Sequence, residues 1–353
     1  MYQESAMRSL VPGERGSADV FRSAAFRAWE DRASVRRKPA RRLELPHEGC
    51  FFSPELYPVC DHPLVVARGP SARRFLLIRR LYDYLHFTTE LETLAVIPVA
   101  TMISRGHSGL PLSRQMRGDA YKIVTDEAYH AQFSYDLGVD VSHVTGVERP
   151  ASLPAPAFLG RLDDVRAQVP WNLRGIEALL FSIVSETLIS GVLGELPGDT
   201  RLPKAVRDLI RDHAEDEGRH HAYFRTVLRA LWDVLTPRER TEVAGLVPAV
   251  IYAFLEPDYR EVMDSLEAVG LPAHEVEQVV RESFHPEAVA QDVAAGAAPV
   301  LQYLRDLGAF EEESTVEAFA AAGLWAGGVA PGRPPRGGTA VSSDATLAQT
   351  GSQ

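Results

Sequence analysis

Several marks of large protein classes are missing from the sequence. Two cysteines, Cys50 and Cys60, stand in 353 residues, too few for a disulfide scaffold or a four-cysteine zinc site. No charge-free apolar run of about 18 residues occurs, so no transmembrane helix is predicted. The first 30 residues hold no apolar stretch of signal-peptide length. Positive charge is in deficit: 37 Lys and Arg stand against 48 Asp and Glu, a net charge of −11. A global nucleic-acid-binding surface is therefore not expected. Sustained period-two alternation, the mark of half-buried strands, is also missing. What remains is the expectation of a reduced, soluble, cytoplasmic protein that engages neither membrane nor nucleic acid. With 45% hydrophobic and 24% charged residues, the chain has an ordinary globular composition. Its length suits one large domain or two modest ones.

The punctuation between about residue 72 and residue 325 is that of an all-helical protein. Long segments with 3.6-residue periodicity are predicted near 73–104, 113–137, 171–195 and 203–233. Shorter ones follow near 237–256, 258–269, 273–284 and 287–307. Thr236-Pro237-Arg238-Glu239 combines a capping box with proline at the first helical position, and Pro203 opens the fourth long segment. Four long helices followed by shorter ones predict a four-helix bundle with additional C-terminal helices. Residues 1–70 are expected to form an N-terminal arm packed on the bundle, and residues 71–326 the bundle domain. Residues 327–353, with six Gly and three Pro in 27 positions, are expected to be a disordered tail. From Arg22 to Arg42, eight Lys and Arg against Glu30 and Asp31 give a local charge of +6. This basic segment is read as a strap on the acidic body or, alternatively, as a contact for an anionic partner.

Against this background stand 28 glutamates and 11 histidines. Glu-x-x-His occurs four times, at Glu44/His47, Glu127/His130, Glu217/His220 and Glu282/His285, where chance predicts roughly one. Pro46 interrupts the first and Pro286 follows the last, so both sit at breaks. The middle two lie inside long helices, where positions i and i+3 share a face. In the fourth helix His213 joins Glu217 and His220 at i, i+4 and i+7, within a wedge of roughly 60°. The third helix carries one charge, Glu186, in the 17 residues from Ala178 to Gly194. An unpaired carboxylate buried there costs several kcal/mol, so Glu186 should be protonated, paired with an arginine or bound to metal. The first helix offers Glu92 and Glu90. Glu92 has the more apolar helical neighbours and is preferred, with Glu90 as the alternative. One Glu from each of two helices and Glu-x-x-His from the other two describe a di-iron or di-manganese carboxylate site in a ferritin-like bundle. A mononuclear zinc site needs only three or four such groups. His213 is an imidazole beyond the usual six ligands.

The set Leu-Glu92-Thr-Leu, Asp126-Glu127-Ala-Tyr-His130, Ser185-Glu186-Thr and His213-x-x-x-Glu217-x-x-His220 resembles that of the AurF-like di-iron arylamine N-oxygenases. The resemblance runs through roughly residues 60–310 and touches all seven candidate ligands. It implies two Fe ions held by Glu92, Glu127, His130, Glu186, His213, Glu217 and His220, with O2 as co-substrate and an external reductase or other electron donor. It further implies oxidation of a primary amine of a secondary metabolite, as in antibiotic biosynthesis, through hydroxylamine towards nitroso or nitro, by a homodimer. On this reading Glu92, Glu127 and His130 hold one iron, His213, Glu217 and His220 dominate the other, and Glu186 helps to bridge. The small-molecule amine could be free or bound to a carrier protein. Tyr129, Phe133 and Arg305 are candidate substrate contacts, although core packing and a surface ion pair explain them as well. The alternatives are a ferritin-like oxygenase acting on an aliphatic or carrier-bound amine or a C–H bond, and an iron-storage or ferroxidase protein.

Overall fold

The computed structural model describes residues 21–43, 49–149, 154–194 and 196–325. The Glu44/His47 pair and the predicted tail lie outside the described residues. Among the described residues there is no β-strand, and a single bridge joins Phe21 to Leu112. The described residues begin with two short turns, α1 (Trp29–Arg32) and α2 (Ser34–Arg37), followed by a third, α3 (Pro63–Val66). The bundle follows: α4 (Pro70–Leu91), a π-helical turn (Glu92–Val96) leading into α5 (Ile97–Ser104), α6 (Arg114–Thr145), α8 (Ile176–Leu193) and α9 (Lys204–Val234), with α7 (Ala157–Gln168) on a connection. The additions are α10 (Pro237–Leu255), α11 (Tyr259–Ala268), α12 (Ala273–Ser283), α13 (Pro286–Gly296), α14 (Ala298–Asp306) and α15 (Glu313–Ala321). The protein is an all-α, ferritin-like bundle with C-terminal helices.

Helix ends and buried stripes follow from the sequence. Ser113 caps α6 by accepting from the Met116 N–H, and Gly146, left-handed at φ 68°, closes it. The Thr236/Glu239 capping box forms at the start of α10. α6 buries Met116, Ala120, Ile123, Glu127, His130, Ser134, Leu137 and Val141, one stripe at helical spacing. α9 buries Val206, Leu209, His213, Glu217, His220, Phe224, Val227 and Leu231 in the same manner. The chemically loaded residues thus occupy middle positions of stripes that are otherwise apolar. α4 and α5 lie against α6, α8 lies along α9, and α6 meets α9 across the bundle. α10 covers α8 and α7, and α15 covers α10.

Three segments differ from expectation. The predicted 287–307 helix is two helices, because Pro299 lacks the N–H that would continue the first. The third long helix starts at Ile176, where Gly175 at φ 95° redirects the chain. α7 was not predicted; prolines flank it and Gly160 interrupts it, yet it buries Phe158, Leu162 and Val165 at i, i+4 and i+7.

Two buried acids, Asp83 of α4 and Glu261 of α11, sit where these helices meet. Burial pushes Asp83 up to about 7 against the opposing pull of Arg80 and Arg79. Burial and then the Asp83 charge push Glu261 up to about 8. Both carboxyls therefore have folded values above their unfolded ones, so their stability contribution is full at low pH. It is lost as pH rises through about 7 and 8. Asp83→Asn is expected to raise the melting temperature of the protein at pH 8, by about 2 kcal/mol of stability, and to leave it unchanged near pH 4. Melting curves across that range check this.

Candidate metal centre

A local irregularity begins at Glu92, where the first helix ends. Ile97 N–H reaches back five residues to the Glu92 carbonyl, the π-type bond, in place of the ordinary four. Pro98, which has no N–H, follows directly. The wide turn leaves the Ala95 carbonyl open to a neighbour, and the Ser182 hydroxyl of α8 donates to it at 3.3 Å. Glu92 is fully buried here, whereas the Glu90 side chain remains 27% exposed beside His86. The structure brings Glu92, not Glu90, to the cluster.

Glu127 and His130 enter from α6, Glu186 from α8, and His213, Glu217 and His220 from α9, all at 0–1% exposure. Their donor atoms form two groups, each with all atoms within 4.8 Å of one another: Glu92, His130, His213 and Glu217, and Glu127, Glu186, Glu217 and His220. Glu217 belongs to both. Its Oε1 lies 3.1 Å from His213 Nε2, 3.3 Å from His130 Nδ1 and 3.4 Å from His220 Nδ1. His220 Nδ1 also lies 2.8 Å from Glu127 Oε1 and 3.4 Å from Glu186 Oε2. This grouping differs from the expected one. His130 joins Glu92 and His213, while Glu127 joins Glu186 and His220. Glu127 and His130 still touch, with His130 Nδ1 2.8 Å from Glu127 Oε2, so this Glu-x-x-His straddles the two groups, whereas Glu217 and His220 share one.

Many of these contacts are close without being hydrogen bonds. Both oxygens of Glu92, Glu186 and Glu217, with Glu127 Oε1, His213 Nε2 and His220 Nδ1, are buried without a hydrogen-bond partner. Orphaned polar atoms at this density are costly in a protein interior. They converge as ligands do, towards the space between them rather than along each other's N–H directions. No arginine or lysine pairs with Glu186 among the described residues; its ion-pair neighbour is His220. The donor set, buried and convergent, fits a metal site.

The electrostatics show the same crowding. Burial, followed by the Glu127, Glu217 and Glu186 charges, holds Glu92 well above the usual carboxylate range. Burial, then Glu217 and Glu127, does the same to Glu186. Burial also disfavours charge on Glu217, but His220 and the other two imidazoles outweigh it and hold the group well below its ordinary value. For His130 and His220 burial is likewise outweighed, by carboxylates on both ring edges, and both are raised. Burial and the neighbouring His130 lower His213.

The chain matches the family model described as P-aminobenzoate N-oxygenase AurF over residues 22–308. The chain belongs to that family. It is 26% identical over 272 residues, 73% of this chain and 78% of the relative, to a 4-aminobenzoate N-oxygenase from Streptomyces thioluteus. As a member of the AurF family the protein is an N-oxygenase, an oxidoreductase. The matched span contains the whole cluster.

Other residues singled out from the AurF-type sequence lie elsewhere. Glu282 pairs with His62 at 3.0 Å, and His285 sits at the N-cap of α13. His221 turns away to the Tyr303 hydroxyl at 2.5 Å. Arg305 lies over the Trp325 and Phe310 rings. Phe133 does border the cluster, its ring centroid 5.2 Å from His130 and 5.7 Å from His213, with Tyr129 edge-on at 5.3 Å. Two residues were missed. Asp216 accepts from His130 Nε2 at 3.1 Å, and Asp126 from His220 Nε2 at 3.2 Å. Each Asp immediately precedes a motif glutamate and serves the histidine of the opposite helix, and the doubled Asp-Glu-x-x-His was the available signal.

Proposed function

We propose that the protein is a non-haem di-iron monooxygenase that oxidises a primary arylamine to the hydroxylamine, and onward towards nitroso and nitro, with O2 and an external electron donor. The observation that carries this reading is the pair of four-residue groups joined by Glu217. Four buried carboxylates match the charge of two divalent cations, and neutral imidazoles complete each group. Bound there, the irons supply the activation of O2. In the first step the amine, O2, two electrons and two protons give the hydroxylamine and one water.

The chain's own residues do the rest. Asp126 and Asp216 hold the Nε2–H of His220 and His130, so that Nδ1 faces the group in each case. All seven side chains are out of solvent, which keeps bulk water from competing with substrate. Phe133, backed by Tyr129, gives the Glu92–His130–His213 end an aromatic wall suited to an aryl ring. The name of the Streptomyces thioluteus relative supports the same substrate class.

The test loads the protein with ferrous iron, reduces it, admits labelled O2 and offers 4-aminobenzoate or an aliphatic amine. Labelled hydroxylamine or nitroso product from the arylamine is expected. Turnover of the aliphatic amine or of a C–H bond alone would refute the arylamine assignment.

A further inference from the structure

The two aspartates that hold the histidines are themselves held, and both holders come from the N-terminal arm. The Trp29 indole N–H donates to both oxygens of Asp126, at 2.9 and 2.8 Å. The Ser34 backbone N–H donates to both oxygens of Asp216, at 3.2 Å, and Arg219 pairs with the same carboxylate. Asp126, Asp216, Trp29 and Ser34 are all buried. The arm is fastened from both sides of these contacts. Phe26 stacks on His220 with ring centroids 5.9 Å apart. Downstream, Lys38 reaches Glu215 at 2.8 Å and Asp212 at 3.3 Å, Arg41 reaches Asp212 at 2.6 Å, and Arg42 reaches Asp140 at 3.1 Å. The basic segment thus lies on the acidic outer faces of α9 and α6.

An aspartate next to an imidazole is useful only if its own orientation is fixed. One indole N–H shared by both oxygens fixes the plane of the Asp126 carboxylate, with Oδ2 towards His220 Nε2. Asp216 is fixed in the same way towards His130. The two chains end in different groups, since His220 belongs with Glu127 and Glu186, and His130 with Glu92 and His213.

We infer that the N-terminal arm is a positioning element of the metal centre: Trp29, through Asp126, sets the ring of His220 at one metal position, and the Ser34 N–H, through Asp216, sets the ring of His130 at the other. This rests on reading the cluster as a two-metal centre. Neither arm residue touches substrate or metal; each acts through the aspartate.

Two variants separate the chains. Trp29→Phe removes the indole N–H and keeps an aromatic ring. Ser34→Pro replaces the backbone N–H that faces Asp216 with a ring carbon and removes the hydroxyl, which donates to the Asp212 carbonyl. Ser34 is the first residue of α2, where proline fits, and Ala33 before it is already extended at ψ 138°. Ser34→Ala keeps the N–H and is the matched control. Each protein is loaded with ferrous iron without O2 and dialysed against graded chelator. Iron per chain is counted and the Mössbauer spectrum recorded. Circular dichroism of the metal-free proteins reports folding.

Trp29→Phe should release one of the two irons at about 10- to 100-fold lower chelator than wild type, keeping the other. Ser34→Pro should release the opposite iron, by about tenfold, since Arg219 still holds Asp216. Ser34→Ala should match wild type. Wild-type retention of both irons in Trp29→Phe and in Ser34→Pro would overturn the inference. So would parallel loss of both irons in either variant, the signature of a merely structural arm. If Trp29→Phe fails to fold, the Ser34→Pro and Ser34→Ala comparison decides. If wild type itself does not hold two irons, the two-metal reading fails first, and that result is distinct from the others.

Discussion

Replacement of Glu217 by alanine is expected to empty both metal positions at once and to lower amine oxidation by more than about 100-fold, beyond the usual cost of an outer-sphere partner. Glu217 is the residue common to both groups, and its Oε1 lies within 3.1–3.4 Å of all three imidazoles. Glu92→Ala and Glu186→Ala should behave differently. Each belongs to one group only, so each should cost one iron before the other. Glu186→Ala should also leave the metal-free fold intact, because it removes a carboxyl whose charge burial and the Glu217 and Glu127 carboxylates disfavour. Metal analysis of the three variants under one protocol checks the ordering. Equal loss of both irons in all three would remove the special role of Glu217.

Metal loading is expected to raise the melting temperature by about 10 °C. Without metal, the bundle centre keeps four carboxylates and three imidazoles packed together, many of their atoms without hydrogen bonds. Two cations, each at a free concentration about a thousandfold above its dissociation constant, add about 8 kcal/mol to the folded state. At about 2.1 cal/mol/K per residue, a chain of 353 residues gains roughly 1.3 °C per kcal/mol. Glu217→Ala should abolish the shift. Asp126→Asn and Asp216→Asn should each reduce it, because the amide offers His220 or His130 a weaker acceptor than the carboxylate does. Differential scanning calorimetry with and without ferrous iron, under argon, measures all four.

The bundle was legible because its helices obey simple periodicity and its site breaks the apolar rule in plain view. Glu186 stands out as the one charge of α8 from Ala178 to Leu193, and two Glu-x-x-His pairs lie mid-helix on buried stripes. Where side chains meet across helices, the sequence was less informative. It groups Glu127 with His130 because they are three residues apart; the two do touch at 2.8 Å, but each also meets a different set of partners across the bundle. The π-turn that begins at Glu92 runs up to Pro98, and its Ala95 carbonyl accepts from a hydroxyl of another helix, Ser182. Periodicity alone ran straight through it. The roles of Trp29 and Ser34 were out of reach for the same reason, since their partners lie 97 and 182 residues away. Net charge marked the arm as basic, and the acidic faces of α9 and α6 explain that charge.

The most direct test is an anaerobic titration of the metal-free protein with ferrous iron, followed by a single exposure to O2 in the presence of 4-aminobenzoate. Two equivalents of iron per chain, lost together in Glu217→Ala, with hydroxylamine formed only at full loading, is the expected result. Saturation at one equivalent, or N-oxidation that survives Glu217→Ala, would contradict a two-metal centre built on that residue.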